Sequence, residues 1–466
     1  MKKPLFLVGL VPLLIAAAPY EIAADVKQDS LHAIVEKLVS FGTRHTLSTQ
    51  TDPTRGIGAA RKWAESEFRR YAKACGGCLT IVLPEDTVTG PRVPNPTRVV
   101  DVVAIQKGTT DPNRVIIITG HIDSRVTDVM NFTSDAPGAN DDGSGTAAVI
   151  EAARVLSKHR FPATIVYGVL SGEEQGLLGG KILADYAKAQ GWQVEAELNN
   201  DIIGNSLGSD GLKDDSHVRV LSEGVRGDYT PELIAAQRSR GGFNDAPSRN
   251  LSRFMVDLAD DLGLGLDVRQ IWRTDRFGRG GDHIPFQQLG YPAIRLSVAV
   301  ENYNWQHQDL RTQNGIEYGD TIDKMDFPYL TRIVKLNVAA LAALASAPMP
   351  PEPTVEGAVS TDTTLAWRAI RGAEAYLVRW RRTDAANWEH SLRVAPGVNL
   401  ASTEVPQTRR DAPRIWADHK VVLPGVRVDD YVFGVASVSA DGHESPVASA
   451  VPGGEFRPYT PPPAKQ

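Results

Sequence analysis

The sequence predicts an α/β fold with a doubly wound, mainly parallel sheet, followed by a small all-β sandwich domain. Short apolar runs alternate with segments of helical periodicity between residues 98 and 203. A proline-rich break near residue 350 then separates this region from segments in which apolar and polar residues alternate. With 466 residues and 42% hydrophobic content, the chain is long enough for one large and one smaller core.

The alternating region is predicted element by element from its hydrophobic period. The predicted elements are strands at 99–105, 115–119, 164–170 and 196–203 and helices at 144–156, 177–189 and 327–345. Alternation of strands and helices implies parallel strands with helices on both faces of the sheet. Ligands of such sheets gather at the carboxyl ends of the strands. Residues 24–98 are expected to form a helical cap and leading strands.

The first residues have the layout of a secretory signal peptide. Lys2 and Lys3 precede an apolar stretch at 4–18, and small residues follow. We expect residues 1–24 to be cleaved and the protein to be exported, extracellular or periplasmic. An uncleaved anchor is the less favoured alternative, because the run is shorter than the roughly 20 residues of a spanning helix and contains Pro12.

Two cysteines, Cys75 and Cys78, lie in the segment ACGGCL. Because the chain is expected to be exported and has no second cysteine pair, a structural disulfide is predicted, with a free reactive pair as the alternative. A net charge of -6 and a pI near 6.0 provide no basic excess, so no nucleic acid or anionic membrane partner is expected.

Five separated segments carry residue types that bind metals, most of them at the end of an apolar run. Two imidazoles and several carboxylates are the ligands that a pair of hydrolytic zinc ions requires. If the strands are parallel, their carboxyl ends meet in one cleft. The segments are GHIDS with His121 and Asp123, GANDDGSG with Asp141 and Asp142, SGEEQG with Glu173 and Glu174, NNDIIG with Asp201, and NWQHQD with His307.

The adjacent glutamates, Glu173 and Glu174, favour a hydrolytic site more than a single carboxylate would. Consecutive side chains at a strand end point in different directions. One carboxylate can therefore bind a metal while its neighbour faces the bound water as a general base. Surface pairs of glutamates are common, so the doublet gains weight from the apolar strand before it and from the flanking glycines.

Taken in order, GHxDS, NDDGSG, EE, NxDxxG and a late histidine resemble the co-catalytic zinc aminopeptidases of metallopeptidase family 28, which include bacterial leucyl-type aminopeptidases. The resemblance covers about residues 30–345 and implies a zinc exopeptidase fold for residues 25–348. It also implies that the substrates are the N-termini of peptides or proteins and that the cofactors are two zinc ions. Under this resemblance His121 and Asp201 hold one zinc, Glu174 and His307 hold the other, and Asp141 bridges both.

The resemblance also implies the roles of the catalytic residues. Glu173 is similar in position to the general base, and Asp123 to the carboxylate that orients the His121 ring, as metal-bound histidines generally require. Asp142 follows the bridging position and is expected to be structural. A water shared by two zinc ions would attack the scissile carbonyl while Glu173 transfers its proton to the leaving amine.

Other polar residues near these segments have open roles. Asp282 and His283 match a segment that the family carries near its substrate cleft, and they either shape the pocket or form a structural loop. The same two readings hold for Tyr303, Trp305 and Gln306. Relatives often place an oxyanion-stabilising tyrosine just before the late histidine, where this chain has Gln306, so that role stays unassigned.

Three other functions compete with an aminopeptidase. The segment GNSLG fits a serine-hydrolase elbow with Ser206 as nucleophile, but the polar stretch after it lacks the helical pattern that such an elbow requires. Glutaminyl cyclases and carboxypeptidase-type enzymes share the resembled fold. A non-catalytic binding protein is the third alternative, although such relatives are expected to lose ligands or the base.

The carboxyl-terminal part is predicted as a separate β-sandwich. Residues 349–352 read as a proline-rich linker, 353–454 as a domain that resembles fibronectin type III, and 455–466 as a disordered tail. Trp367 and Tyr431 stand where sandwich cores place aromatic residues. This domain either contacts a surface or substrate or serves as a spacer without a ligand.

Overall fold

The computed structural model describes residues 19–395, 403–405 and 415–461. Within these residues an α/β domain extends to the end of a long helix at Ser346, and a β domain follows it. The first 18 residues of the predicted signal peptide lie outside the described part of the chain. The rest of the predicted signal peptide, residues 19–24, includes a short helix whose Ile22 and Ala23 are buried in the α/β domain. The cleavage position stays a prediction.

The α/β domain is built on an eight-stranded sheet with the strand order β1-β4-β6-β5-β7-β10-β8-β9. The central strands β6, β5, β7 and β10 are parallel, whereas β1, β4 and β8 pair antiparallel towards the edges. The predicted doubly wound, mainly parallel fold class is therefore confirmed, with mixed edges. Two further pairs of strands, β2-β3 and β11-β12, form hairpins outside this sheet. The strands of the domain are β1 Leu79–Val82, β2 Glu85–Gly90, β3 Val93–Val100, β4 Val102–Gln106, β5 Asp111–His121, β6 Ala163–Leu170, β7 Gln193–Asn200, β8 His217–Leu221, β9 Asp267–Ile271, β10 Ala293–Val298, β11 Arg311–Gln313 and β12 Ile316–Tyr318.

Helices cover both faces of the sheet because side chains alternate along the strands. On β5, Ile116 and Ile118 join the larger core, and Val115 and Ile117 join the smaller one. The helices α4 and α9 lie in the larger core and α5 packs on the opposite face. The helices are α1 Pro19–Ala23, α2 Gln28–Val39, α3 Gly56–Ala74, α4 Gly143–Leu156, α5 Leu178–Ala189, α6 Pro231–Arg240, α7 Pro247–Leu262, α8 His283–Gln288 and α9 Phe327–Ser346.

One predicted strand, 99–105, is divided in the structure. The break lies at Asp101, whose buried carboxylate accepts a hydrogen bond from the Ser171 backbone N–H at 2.9 Å. The residues before the break form β3, which pairs with β2 in a hairpin, and those after it form β4 of the main sheet. The prediction of one strand was wrong because a buried polar contact, which the apolar pattern does not reveal, turns the chain.

The helix α9 is long and apolar enough to span a membrane, with a mean hydropathy of 1.3. In the structure 72% of that apolar window is buried inside the domain, where α9 packs against α1, α4 and α7. Its apolar surface therefore belongs to the core. The predicted bond between Cys75 and Cys78 is present, with the Cα atoms 5.6 Å apart, directly after α3.

The β domain contains two antiparallel sheets, β13-β14-β19 and β16-β15-β20-β21, and a separate pair, β17-β18. Trp367 is buried in the core between the sheets, whereas Tyr431 is half-buried at its side. Likeness to fibronectin type III stays a prediction. The strands are β13 Thr354–Glu356, β14 Thr363–Trp367, β15 Ala375–Arg382, β16 His390–Val394, β17 Thr403–Val405, β18 Ile415–Ala417, β19 His419–Leu423, β20 Tyr431–Val438 and β21 Ala448–Ser449.

The segments predicted as linker and tail are packed against the rest of the molecule. Met349, in the predicted linker 349–352, is buried with Ala448 and Phe456. Arg226 of the α/β domain donates a hydrogen bond to the carbonyl of Glu455 at 3.0 Å. The prediction of disorder is therefore wrong for the start of the tail, because apolar contacts and a buried arginine hold it. Residues 462–466 of the tail lie outside the described residues.

Candidate active site

The site lies at the carboxyl ends of the central parallel strands, as the topology predicts. His121 is the last residue of β5, and in the sheet it lies beside Leu170, the last residue of β6. Glu173 follows β6 by three residues, and Asp201 follows directly after β7. The strand ends therefore bring three of the five separated segments to one edge of the sheet.

Two groups of possible ligands share the carboxylate of Asp141. Its Oδ1 lies 3.3 Å from His121 Nε2, which is 3.9 Å from Asp201 Oδ1. Its Oδ2 lies 2.9 Å from His307 Nε2, which is 3.0 Å from Glu174 Oε1. The structure thus brings together all five residues predicted as ligands, in two groups of three that could each hold a metal ion.

Two atoms of these groups lack the hydrogen bonds that buried polar atoms normally have. Among the described residues, His121 Nε2 and Glu174 Oε1 are buried without a hydrogen-bond partner. His121 Nε2 faces the carboxylates of Asp141 and Asp201, and Glu174 Oε1 faces His307 Nε2. Burying several carboxylates together is unfavourable unless cations neutralise them. Nitrogen and oxygen donors are ligands that zinc accepts, so the residues fit the metal predicted for this site.

Asp123 connects His121 to the segment that carries the two glutamates. Its carboxylate accepts hydrogen bonds from the backbone N–H groups of Gly172 at 2.9 Å and Glu174 at 3.2 Å, and from the Thr46 hydroxyl at 3.0 Å. His121 Nδ1 lies 3.1 Å from the Asp123 carbonyl and 3.5 Å from its carboxylate. Burial would raise the pKa of Asp123, but its contact with His121 lowers it below its ordinary value.

Asp142 lies outside both groups and holds the backbone around them. Its carboxylate accepts N–H groups from His121 at 3.0 Å, Gly145 at 2.9 Å and Ile202 at 3.2 Å. It caps the start of α4 and ties that helix to the ends of β5 and β7. These contacts support the structural role that the sequence suggested.

Glu173 lines the cleft together with the ligand residues. Burial raises the pKa of its carboxyl well above its ordinary value, although the nearby His121 opposes this shift. A carboxylate with a raised pKa accepts a proton more readily near neutral pH. The position and the pKa of Glu173 therefore suit a general base.

Burial would lower the pKa values of both histidines, but the carboxylates around them have the larger combined effect. Asp123 and Asp141 raise the pKa of His121 well above its ordinary value. Glu174 and Asp141 raise the pKa of His307 to about 10. A raised pKa favours the protonated ring, so a metal that binds either histidine has to compete with a proton.

The comparisons with known proteins agree with this geometry. A family model described as peptidase family M28 matches residues 101–327. A probable zinc metalloprotease of Leptosphaeria maculans is 42% identical over 450 residues, which cover 94% of this chain and 99% of the relative. Another, from Pyricularia oryzae, is 43% identical over 92% of this chain and 83% of the relative. The chain belongs to peptidase family M28.

Solved structures confirm the fold of this M28 metalloprotease. The LapA aminopeptidase of Legionella pneumophila superposes with a TM-score of 0.52 at 20% identity, over 74% of this chain and 80% of that chain. LapB of the same organism gives a TM-score of 0.52 at 19% identity, over 72% and 77% of the two chains. The relatives identify this chain as a zinc metalloprotease, and the solved structures show that its α/β fold is similar to that of LapA and LapB.

Sequence reasoning missed Asp320, which positions the shared carboxylate of this M28 protein. Its carboxylate accepts the backbone N–H of Asn140 at 2.9 Å and that of Asp141 at 2.7 Å. Burial raises the pKa of Asp320 to about 7. It lies after the β11-β12 hairpin, away from any apolar strand, so no local pattern could have identified it.

Two arginines that contact the predicted ligands were also missed. Arg295, fully buried on β10, lies with its Nη2 2.9 Å from Asp201 Oδ1. Arg125 Nε donates to Glu174 Oε2 at 2.8 Å, and its Nη2 lies 2.6 Å from His307 Nδ1. If His307 binds a metal through Nε2, the ring proton lies on Nδ1. A guanidinium can only donate hydrogen bonds, so Arg125 would then have to move away from Nδ1.

The residues with open roles divide between the cleft and its surroundings. Tyr303 and Gln306 line a cleft of about 610 Å³, and Gln306 Nε2 donates to Asp141 Oδ2 at 3.0 Å. Asp282 is buried and accepts a hydrogen bond from the Gly180 backbone N–H at 3.1 Å. His283 Nε2 lies 2.8 Å from the Thr274 carbonyl. Trp305 borders a small neighbouring cavity instead. Asp282 and His283 thus support the loops around the cleft.

The serine-hydrolase alternative is not supported at Ser206. Its hydroxyl donates a hydrogen bond to Asp326 Oδ2 at 2.6 Å and so helps to fix the start of α9. The residues between Ser206 and β8 form turns and a bridge, without the helix that must follow a nucleophile elbow.

Proposed function

We propose that this M28 protein is a dinuclear zinc exopeptidase that removes N-terminal residues from peptides. The observation that carries the proposal is the placement of Asp141, whose two oxygens each face a different histidine, His121 and His307. A carboxylate between two such groups is suited to bridge two cations.

Each residue then has a defined task. His121, Asp141 and Asp201 would hold one zinc ion, and Asp141, Glu174 and His307 would hold the other. Zinc ions held there would lower the pKa of bound water and polarise the scissile carbonyl.

The remaining residues act on protons and on orientation. Glu173 takes the proton of the attacking water and passes it to the leaving amine. Asp123 holds the His121 ring and the segment that carries Glu173 in one arrangement, through its bonds to both.

The choice of an aminopeptidase among peptidases is supported by the fold likeness to the LapA aminopeptidase of Legionella pneumophila. Export is proposed as well. A basic and apolar start of the chain and a disulfide between Cys75 and Cys78 are typical of proteins that pass into an oxidising compartment.

The proposal is tested with zinc-loaded full-length protein and three substrates that differ at the N-terminus. Free aminoacyl peptides should be hydrolysed, N-acetylated ones should not, and bound zinc should approach two ions per chain. Cleavage of acetylated peptides alone would reject an aminopeptidase. Cyclisation of an N-terminal glutaminyl peptide, with one zinc per chain, would support the glutaminyl cyclase alternative. The variant Glu173→Gln serves as the inactive control.

A further inference from the structure

We propose that Arg92 forms a carboxylate-binding subsite at the mouth of the cleft, so that this enzyme prefers substrates with a carboxylate close to the bond that is cleaved. The inference rests on the proposed exopeptidase function and names a class of substrate for the same site.

Arg92 lies in the turn between β2 and β3, a hairpin outside the main sheet. Its side chain is exposed and lines the cleft. Its Nη1 donates a hydrogen bond to the carbonyl of Glu174 at 2.9 Å. The guanidinium is therefore held next to the segment that carries the proposed base and one proposed ligand.

The other arginines of the cleft are occupied by acidic partners. Arg125 pairs with Glu174 at 2.8 Å, Arg276 lies 3.1 Å from Asp275, and Arg279 lies 2.8 Å from Glu301. Among the residues that the structure describes, no carboxylate lies within 4.0 Å of the Arg92 guanidinium.

The free donors of Arg92 match a carboxylate. A guanidinium has five N–H donors, and the bond to Glu174 uses one of them. The remaining fork can bind both oxygens of a carboxylate at once, which is the geometry that arginine recognises best.

The charge of the loaded cleft favours the same ligand. Four acidic residues line the cleft: Asp141, Glu173, Glu174 and Asp201. When all four are ionised, their summed charge of -4 balances the charge of two divalent cations. With those cations bound, the positive charge of Arg92, which pairs with no carboxylate among the described residues, would favour a negatively charged group in the cleft.

A substrate carboxylate can come from two sources: the side chain of an acidic N-terminal residue, or the free C-terminus of a very short peptide. Two matched pairs separate them, Glu-Ala-amide against Gln-Ala-amide, and Leu-Ala against Leu-Ala-amide. The members of each pair differ by one negative charge with little change in shape.

Binding is measured by calorimetry on the zinc-loaded Glu173→Gln protein, which binds without turnover. In at least one pair the charged member should bind about tenfold or more tightly than its amide, as expected for a hydrogen bond to a charged group. The added substitution Arg92→Gln should abolish that difference, and Arg92→Glu should make the amide the better ligand. Arg98→Gln is the matched control, because Arg98 is exposed on the same hairpin and pairs with Glu85.

Equal affinities within both pairs would overturn the subsite, and so would a difference that persists in Arg92→Gln. Because the measurement is of binding, it is independent of the hydrolysis assay. A chain that hydrolyses no free aminoacyl peptide but still binds the charged ligand through Arg92 would refute the exopeptidase and keep the subsite.

Discussion

Two regions of this molecule bury charged side chains, and they differ in the sign of the charge that is in excess. At the domain interface Asp245 lies 2.6 Å from Arg381 and 3.5 Å from Arg253, so two cations share one acid. At the two ligand groups of the cleft, three carboxylates, Asp141, Glu174 and Asp201, share two histidines, His121 and His307.

The interface supplies most of its own partners, although Arg381 Nε forms no hydrogen bond among the described residues. Arg253 donates to the carbonyls of Ala386 at 2.7 Å and Asn244 at 3.1 Å, and Arg381 donates to that of Ala385 at 2.8 Å. Both guanidiniums also face the ring of Trp388. Protein groups therefore accept most of the excess positive charge.

The cleft supplies partners for only some of its buried atoms. Arg295 pairs with Asp201 and Arg125 with Glu174, but His121 Nε2 and Glu174 Oε1 form no hydrogen bond among the described residues. The comparison teaches that burial of charge alone does not mark a functional site. Two groups of buried metal-binding side chains that share one carboxylate do mark a candidate site.

The largest effect is expected where the cleft loses its shared carboxylate. Asp141→Asn should reduce bound zinc to one ion or fewer per chain and lower hydrolysis by more than about 1,000-fold, since bound metal contributes several kcal/mol to such a reaction. Metal analysis and an aminopeptidase assay measure both. Asp135→Asn makes the same chemical change at an exposed site and should retain both properties. Two zinc ions in Asp141→Asn would contradict the bridge.

The next largest effect distinguishes a general base from a metal ligand at Glu173. Glu173→Gln should lower kcat by about 100- to 10,000-fold, the usual contribution of a general base, while zinc content stays at the wild-type value. Steady-state kinetics and metal analysis on one preparation test this. Unchanged kcat would exclude Glu173 as the base, and lost zinc would show that it is a ligand instead.

At the interface the expected loss is of stability. Asp245→Asn leaves Arg253 and Arg381 buried without their acid and should lower the free energy of unfolding by about 3–5 kcal/mol, with zinc binding retained. Urea unfolding measures it. Asp257→Asn breaks the more exposed pair with Arg379 across the same interface and should cost less than about 1 kcal/mol. Equal losses of unfolding free energy in the two variants would show that the buried cluster stabilises the protein no more than the exposed pair does.

The smallest effect concerns pH. Because the pKa of His307 is raised to about 10 in the metal-free protein, zinc must displace a proton from this ring at neutral pH. Zinc affinity should therefore rise with pH by about tenfold per unit for each proton displaced, until the pH passes that pKa. Competition titrations between about pH 6 and about pH 8, one unit on either side of neutrality, measure the slope. Affinity that is independent of pH would mean that His307 is not protonated before zinc binds.

Much of the site could be predicted because its residue types follow apolar runs that are themselves readable. His121 and Asp201 stand directly at strand ends, so the rule for parallel sheets places them together. The order of the five segments also carried the family likeness. Arg295 escaped notice because an arginine inside an apolar strand looks like an interruption of the pattern. Asp320 escaped because it acts through backbone N–H groups 180 residues away in sequence.

The amino-acid sequence by itself determined the α/β class, the order of the possible metal ligands along the chain and the position of the second domain. These features depend on the hydrophobic period and on polar residues that follow apolar runs, and both are local properties of the sequence. Only the tertiary structure decided which oxygen of Asp141 faces which histidine, which arginines compensate the ligands, and that the linker and the start of the tail are packed. Those outcomes depend on distances between residues far apart in the chain. A difference of one or two ångströms there decides whether two polar groups form a hydrogen bond, because hydrogen bonding and electrostatic energy both depend on distance.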